Sequence, residues 1–343
     1  GEDGRGEKGA SVAGRGHAVS CKRRLAACAH QIRAMLHDSL RDATRRSRPG
    51  ESRARMMPVR RPRRCRPATR PPSDPEFPMP EMSMARAIGW LAEQDPDRPA
   101  ITHGEATISR LELERASNRL ARAYAALGVG QDDLVTIALP NGIEHYLAAV
   151  ACWKLGATPQ PVSAKLPFVE REAIVELAQP RLVLGVEPGT HGEVRCLPAG
   201  FEADAGLDDG PLPDAVAKAW KAPTSGGSTG RPKIIVAGEP SVIDPDKLVF
   251  CGQQPGGVQL VPGPLYHNAP FAFSCRALCS GCQLVVMSRF DAEEALRLIE
   301  RHRVDWTLMV PTMMQRIWRL PEETRTAFDL SSLNAILHLA APC

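Results

Sequence analysis

From residue 84 onward the apolar positions follow two periods in turn, one near 3.6 and one near 2. Residues 85–94 read as a short helix, ended by the turn signal Asp95-Pro96-Asp97. Two short strand-like runs, 99–102 and 106–108, flank His103-Gly104 and predict a hairpin. Ser109 then stands as an N-cap. Leu111, Leu113, Ala116, Leu120, Ala123, Tyr124 and Leu127 keep the helical period until Gly128 stops it. Further along, strands are predicted over 134–139, 158–162, 181–184, 258–261, 283–287, 306–310 and 335–338. Helices are predicted over 143–155, 168–178, 271–280, 292–302 after Asp291, and 312–320. Alternation of this kind implies an α/β fold, with parallel sheets and crossover helices. Ligands of such folds bind beyond the carboxyl ends of the strands. No fixed-period repeat is present.

Composition changes this picture at one end only. The 343 residues are 43% hydrophobic and 24% charged, ordinary values for a globular chain able to bury a sizeable core. The longest apolar runs resemble Leu284-Val285-Val286-Met287, so neither a membrane-spanning helix nor a secretory signal is expected. Ten scattered cysteines do not make a disulfide scaffold, and a reducing, cytoplasmic setting is the default. Charge, however, is split. The first 70 residues hold 19 of the 43 Lys and Arg but 6 of the 39 Asp and Glu, which leaves an acidic remainder. Residues 1–78 are therefore expected to be a disordered Arg/Pro-rich tail, and 79–343 the globular part. Within the tail, 22–40 has near-helical apolar spacing. Three readings of the tail are open: a nucleic-acid-binding arm, a transit peptide, or a segment without function of its own. The last is the plainest, because Met57, Met79, Met82 and Met84 offer later starts.

The segment richest in chemistry is Thr224-Ser225-Gly226-Gly227-Ser228-Thr229-Gly230-Arg231-Pro232-Lys233. Its glycines let successive amides converge on one anion. Thr224, Ser225, Ser228 and Thr229 add hydroxyl donors, and Lys233 adds a compact positive charge. It is not a Walker A loop, because Arg-Pro separates Gly230 from Lys233 and a strand-like run follows. On composition alone a Gly/Ser-rich surface turn explains it equally well.

The stretch from Ser225 to Lys233 resembles the phosphate-binding signature of the AMP-forming acyl-CoA synthetase, adenylation-domain and luciferase superfamily. One departure is Gly226, where that signature usually has a hydroxyl residue. The double glycine is similar to bile-acid CoA ligase-like members. Ile108-Ser109-Arg110-Leu111-Glu112-Leu113, Val135-Thr136-Ile137-Ala138-Leu139-Pro140-Asn141, Trp153-Lys154-Leu155-Gly156-Ala157, Pro264-Leu265-Tyr266-His267-Asn268 and Leu339-Ala340-Ala341-Pro342-Cys343 resemble further blocks, in the family's order.

The resemblance implies stacked, mostly parallel sheets and two half-reactions. A carboxylate attacks the α-phosphorus of ATP, and a thiol, usually of coenzyme A, then displaces AMP. Thr224, Ser225, Gly226, Gly227, Ser228, Thr229, Gly230 and Lys233 would hold the leaving phosphates. His267 would sit between phosphates and acyl pocket as the candidate catalytic residue, against the plain reading of an ordinary loop histidine. Ala340, Ala341 and Pro342 would line the adenine. ATP, magnesium and coenzyme A are the implied cofactors, and a fatty or sterol-like carboxylic acid the implied substrate. The family blocks for magnesium, ribose and the catalytic lysine belong after Cys343, so the chain as given is expected not to complete the reaction. The alternative function is nucleic-acid binding through the basic tail. Oligomeric state is open.

Two other groups carry weaker signals. Cys275, Cys279 and Cys282, with His267 nearby, invite a zinc reading, but helical spacing favours core packing. Trp306, Met309, Pro311 and Met313 could line an apolar pocket or the core.

Overall fold

A computed structural model describes residues 81–225, 232–244 and 251–339. The tail 1–78, and with it the nucleic-acid reading, lies outside them.

Two short elements come first, β1 (Met82–Ser83) and α1 (Met84–Gln94). The hairpin expected around His103-Gly104 is present as β2 (Pro99–His103) paired antiparallel with β3 (Ala106–Ser109). Ser109 then caps α2 (Arg110–Ala126) with a capping box. Its Oγ accepts from Glu112 N, and the Glu112 carboxylate accepts from Ser109 N at 2.7 Å. Gly128 ends the helix at φ +89°, a conformation that glycine adopts without strain.

Chain order then gives β4 (Leu134–Ile137), α3 (Ile143–Lys154), β5 (Thr158–Pro161), α4 (Phe168–Ala178), β6 (Leu182–Leu184) and β7 (Arg195–Leu197). These strands form a four-stranded parallel sheet in the order β5-β4-β6-β7. Next come β8 (Thr224–Ser225), β9 (Lys233–Ile234) and β10 (Val242–Ile243), the last pairing with β1. The chain closes with β11 (Val258–Val261), α5 (Asn268–Cys279), β12 (Gln283–Val286), α6 (Ala292–His302), β13 (Trp306–Met309), α7 (Pro311–Trp318), α8 (Glu322–Arg325) and β14 (Ala335–His338). A second sheet runs β14-β13-β11-β12-β2-β3, parallel except for the hairpin.

Side-chain alternation stacks the layers. Leu284 and Val286 face one core, and Val285 and Met287 face another with Leu298, Ile299 and Met309. Leu182 and Leu184 join the first core from the four-stranded sheet, while Val183 turns to a third with Ile174 and Val175. The first core thus joins both sheets through Ile88, Leu113, Tyr146, Trp153 and Phe271. A buried ion pair, Lys154 Nζ to Glu114 at 2.7 Å, crosslinks α2 and α3. Among the described residues no helix is long and apolar enough to cross a membrane.

Most element boundaries shift by one or two residues from expectation, and two of the helix starts have clear causes. The helix expected from residue 271 starts at Asn268, because Pro270 falls in the first turn, where a missing N–H breaks no helical bond. The helix expected from 312 starts at Pro311 for the same reason.

Candidate functional site

The glycine-rich segment is framed by sheet at both ends. Thr224 pairs with Ile234 and Ser225 with Lys233, antiparallel. The ladder continues as Ile235 N donates to Pro223 O at 2.9 Å and Ala237 N to Lys221 O at 3.0 Å. On its other side this ribbon joins the edge of the four-stranded sheet. Ala222 N donates to Pro159 O at 3.0 Å, and Thr158 Oγ1 to Ala219 O at 2.8 Å. Thr136 Oγ1 donates to Gln160 Oε1 at 2.6 Å, and Gln160 Nε2 reaches Thr224 Oγ1 at 3.4 Å.

Ser225 and Lys233 therefore stand about one strand spacing, ~5 Å, apart. Gly226, Gly227, Ser228, Thr229 and Gly230 lie outside the described residues, as do Ala340, Ala341 and Pro342. Thr224 and Ser225 are half-buried at the ribbon's end, and Lys233 is exposed. Ile235 and Val236, on the ribbon's outer strand, keep 55% and 58% of their surface.

His267 lies at the start of α5, where it takes the N-cap position with extended backbone. Its ring leans on Tyr266 at 4.4 Å, and partial burial holds its imidazole below the ordinary value. No acidic residue stands in the first turn of α5, so the helix dipole leaves this end positive. Ribbon and helix meet directly, because Lys221 Nζ donates to Asn268 Oδ1. Lys221 also lies 4.5 Å above the Trp220 ring, and burial lowers its affinity for a proton. Trp220 in turn stacks on Phe271 at 6.4 Å and accepts through its carbonyl from Trp153 Nε1 at 2.8 Å.

Thus Thr224, Ser225, Lys233 and His267 fall at the carboxyl ends of the two sheets. Two residues to which the sequence reading gave no role tie the segment around His267 to its surroundings: Lys221 bonds Asn268 from the ribbon, and Asn141 bonds Gly263 and Leu265 from the four-stranded sheet. Asn141 enters the sequence reading as the last residue of the block that starts at Val135, and its bonding partners lie 122 to 146 residues away, so no local pattern shows this role. Chemically, hydroxyls, an ammonium and a helix N-terminus make an anion-binding set.

The cysteines are core residues. Cys275 and Cys279 are fully buried in the first core, and burial raises the Cys275 thiol strongly and the Cys279 thiol to about 12. Trp306 is buried, stacks on Phe273 at 5.6 Å and donates to Cys251 O at 3.0 Å. Met309 lies in the second core with Met313 packed against it, so packing accounts for both.

Comparison with known proteins gives consistent results. A family model described as AMP-binding enzyme matches residues 89–343. Feruloyl-CoA synthase of Amycolatopsis sp is 32% identical over 262 residues, covering 73% of this chain and 53% of that protein. The 4-coumarate–CoA ligase 5 of Oryza sativa subsp. japonica is 27% identical over 277 residues, covering 72% and 50%. The chain thus spans about half the length of the curated relatives it matches. O-succinylbenzoate coenzyme A synthetase from Bacillus subtilis, in complex with AMP, superposes with a TM-score of 0.63 at 22% identity, covering 77% of this chain and 69% of that one. Its complex with ATP and magnesium superposes at 0.61 with 24% identity, covering 77% and 56%. The likeness to these structures is one of fold.

Proposed function

The chain belongs to the AMP-binding enzyme family, and from that premise we propose that it carries the nucleotide-binding part of an ATP-dependent acid–thiol ligase. The observation that carries this reading is the ribbon. It pairs Ser225 with Lys233 on either side of the glycine-rich segment, and its Lys221 donates to Asn268, next to His267 at the positive end of α5.

In this reading the substrate is an apolar carboxylic acid. The relatives' names, feruloyl and 4-coumarate, favour an aryl acid over the fatty or sterol-like one suggested by the loop sequence. The acid's oxygen attacks the α-phosphorus of ATP, and pyrophosphate leaves. A thiol, coenzyme A in this reading, then attacks the acyl carbon and AMP leaves. The chain's own residues bind and orient. Thr224 and Ser225, with Ser228, Thr229, Lys233 and the amides of Gly226, Gly227 and Gly230, hold the β- and γ-phosphates and offset their growing charge. His267 faces the junction of phosphate and acyl group. Ala340, Ala341 and Pro342 flank the adenine. The hydroxyls of Thr224 and Ser225 are hard oxygen donors, which suit magnesium. That ion would neutralise phosphate charge, while the Lys233 ammonium addresses the phosphates themselves. Free buried thiols at Cys152, Cys196, Cys275, Cys279 and Cys282 support a reducing, cytoplasmic setting.

Titration calorimetry of the 343-residue chain with ATP and magnesium tests this. Lys233→Ala should weaken binding about ten- to a hundredfold, the weight of one charge-assisted phosphate contact. Lys218→Ala, which removes an exposed partner of Asp132, should leave it unchanged. Equal affinity in both variants, or no binding by the parent chain, would end the proposal.

A further inference from the structure

Asn141 follows β4 in the four-stranded sheet, yet its three side-chain hydrogen bonds all reach the other sheet. Nδ2 donates to Gly263 O at 2.9 Å and to Met287 O at 3.0 Å, and Oδ1 accepts from Leu265 N at 2.9 Å. Gly263 follows β11 and Met287 follows β12. One carboxamide therefore ties together the carboxyl ends of three strands. Both its N–H groups and its carbonyl are used, so no alternative orientation satisfies it equally.

Two of the three bonds fall on the turn that delivers His267. Leu265 is fully buried, His267 N donates to Pro264 O at 3.1 Å, and Phe271 N donates to His267 O at 3.2 Å as the helix begins. The far side of the turn is equally constrained, since a Cβ on Gly263 would come within 2.9 Å of Pro270. Among the described hydrogen bonds Asn141 is the turn's one side-chain anchor before His267.

We propose that Asn141 is the positioning residue for His267, holding its turn against both sheets so that the imidazole is presented at the carboxyl-end site. That the imidazole serves acyl-adenylate chemistry rests on the function proposed above; the positioning does not.

The test uses the full chain and three variants. Asn141→Ala removes all three bonds, Asn141→Asp removes both donations but keeps an acceptor for Leu265, and Ser117→Ala removes a helix hydrogen bond far from the turn. Hydrogen exchange should quicken about tenfold or more over 263–267 in Asn141→Ala, as a lost buried network loosens a local unit. By histidine-labelled NMR, the His267 titration midpoint should rise toward the ordinary imidazole value of 6.5. ATP, the probe ligand, should bind about tenfold more weakly. Asn141→Asp, which sets a carboxylate oxygen against the Gly263 and Met287 carbonyls, should quicken exchange over 263–267 as well, and Ser117→Ala should move none of these readouts. Unchanged exchange and an unchanged His267 midpoint in folded Asn141→Ala would overturn the proposal. Should that variant not fold, unchanged values in Asn141→Asp would do so. If both readouts shift while the parent chain binds no ATP, the positioning stands and the ligase reading falls.

Discussion

His145 shows what burial does to a single side chain. Its ring is fully enclosed, Nδ1 meets Leu139 O at 3.2 Å, Nε2 has no hydrogen-bond partner, and Phe271 stands edge-on at 5.9 Å. Desolvation pushes its imidazole down to about 4, against an ordinary 6.5. The folded chain thus refuses a proton that the unfolded chain accepts. Stability is unaffected above about 6.5 and falls as pH drops from there toward about 4, by up to roughly 3 kcal/mol from this residue. His267 and His302, also lowered by burial, act in the same direction. Urea unfolding followed between pH 7 and pH 4 should show this decline, and His145→Gln should flatten it; an equal slope in the variant would contradict the account. At this scale the sequence was only half legible. Thr224, Ser225, Lys233 and His267 could be picked out from residue chemistry and motif. Asn141 and Lys221 could not, because their roles arise from partners that only folding brings near.

Elements were far more legible, since their causes are local. Ser109 illustrates why. A hydroxyl residue before an apolar-periodic run, with Glu112 three places on, predicts a helix start, and both capping bonds are present. Ser109→Ala should lower stability by about 1 kcal/mol in urea titrations, with Glu112→Ala losing part of the same energy and the double variant less than the sum. Additive losses would mean that the two bonds do not act as a box. The elements not anticipated were short: β1, β8 and β10 of two residues each, β7 of three, and the four-residue helix α8. Periodicity needs several residues to declare itself, and these strands exist only because a distant partner supplies the ladder.

At the scale of the whole described region, one core binds the two sheets. Ile101, Leu284 and Val286 from the six-stranded sheet share it with Val135, Ile137 and Leu182 from the four-stranded one, across α1, α2, α3 and α5. Neither sheet can expose its inner face without stripping the other. Unfolding of this region should therefore be one cooperative step, with tryptophan fluorescence and far-ultraviolet circular dichroism tracing the same urea midpoint. Two separated midpoints would show the sheets to be independent. The ribbon has a different relation to the core. It is anchored to the four-stranded sheet through Ala222 and to α5 through Lys221, and its described ladder ends at Ser225 and Lys233, outside the cores. In the proposed reading, a change at position 226 would then bear on nucleotide grip more than on the cores, leaving affinity free to drift over evolutionary time on a frame that registers little of it.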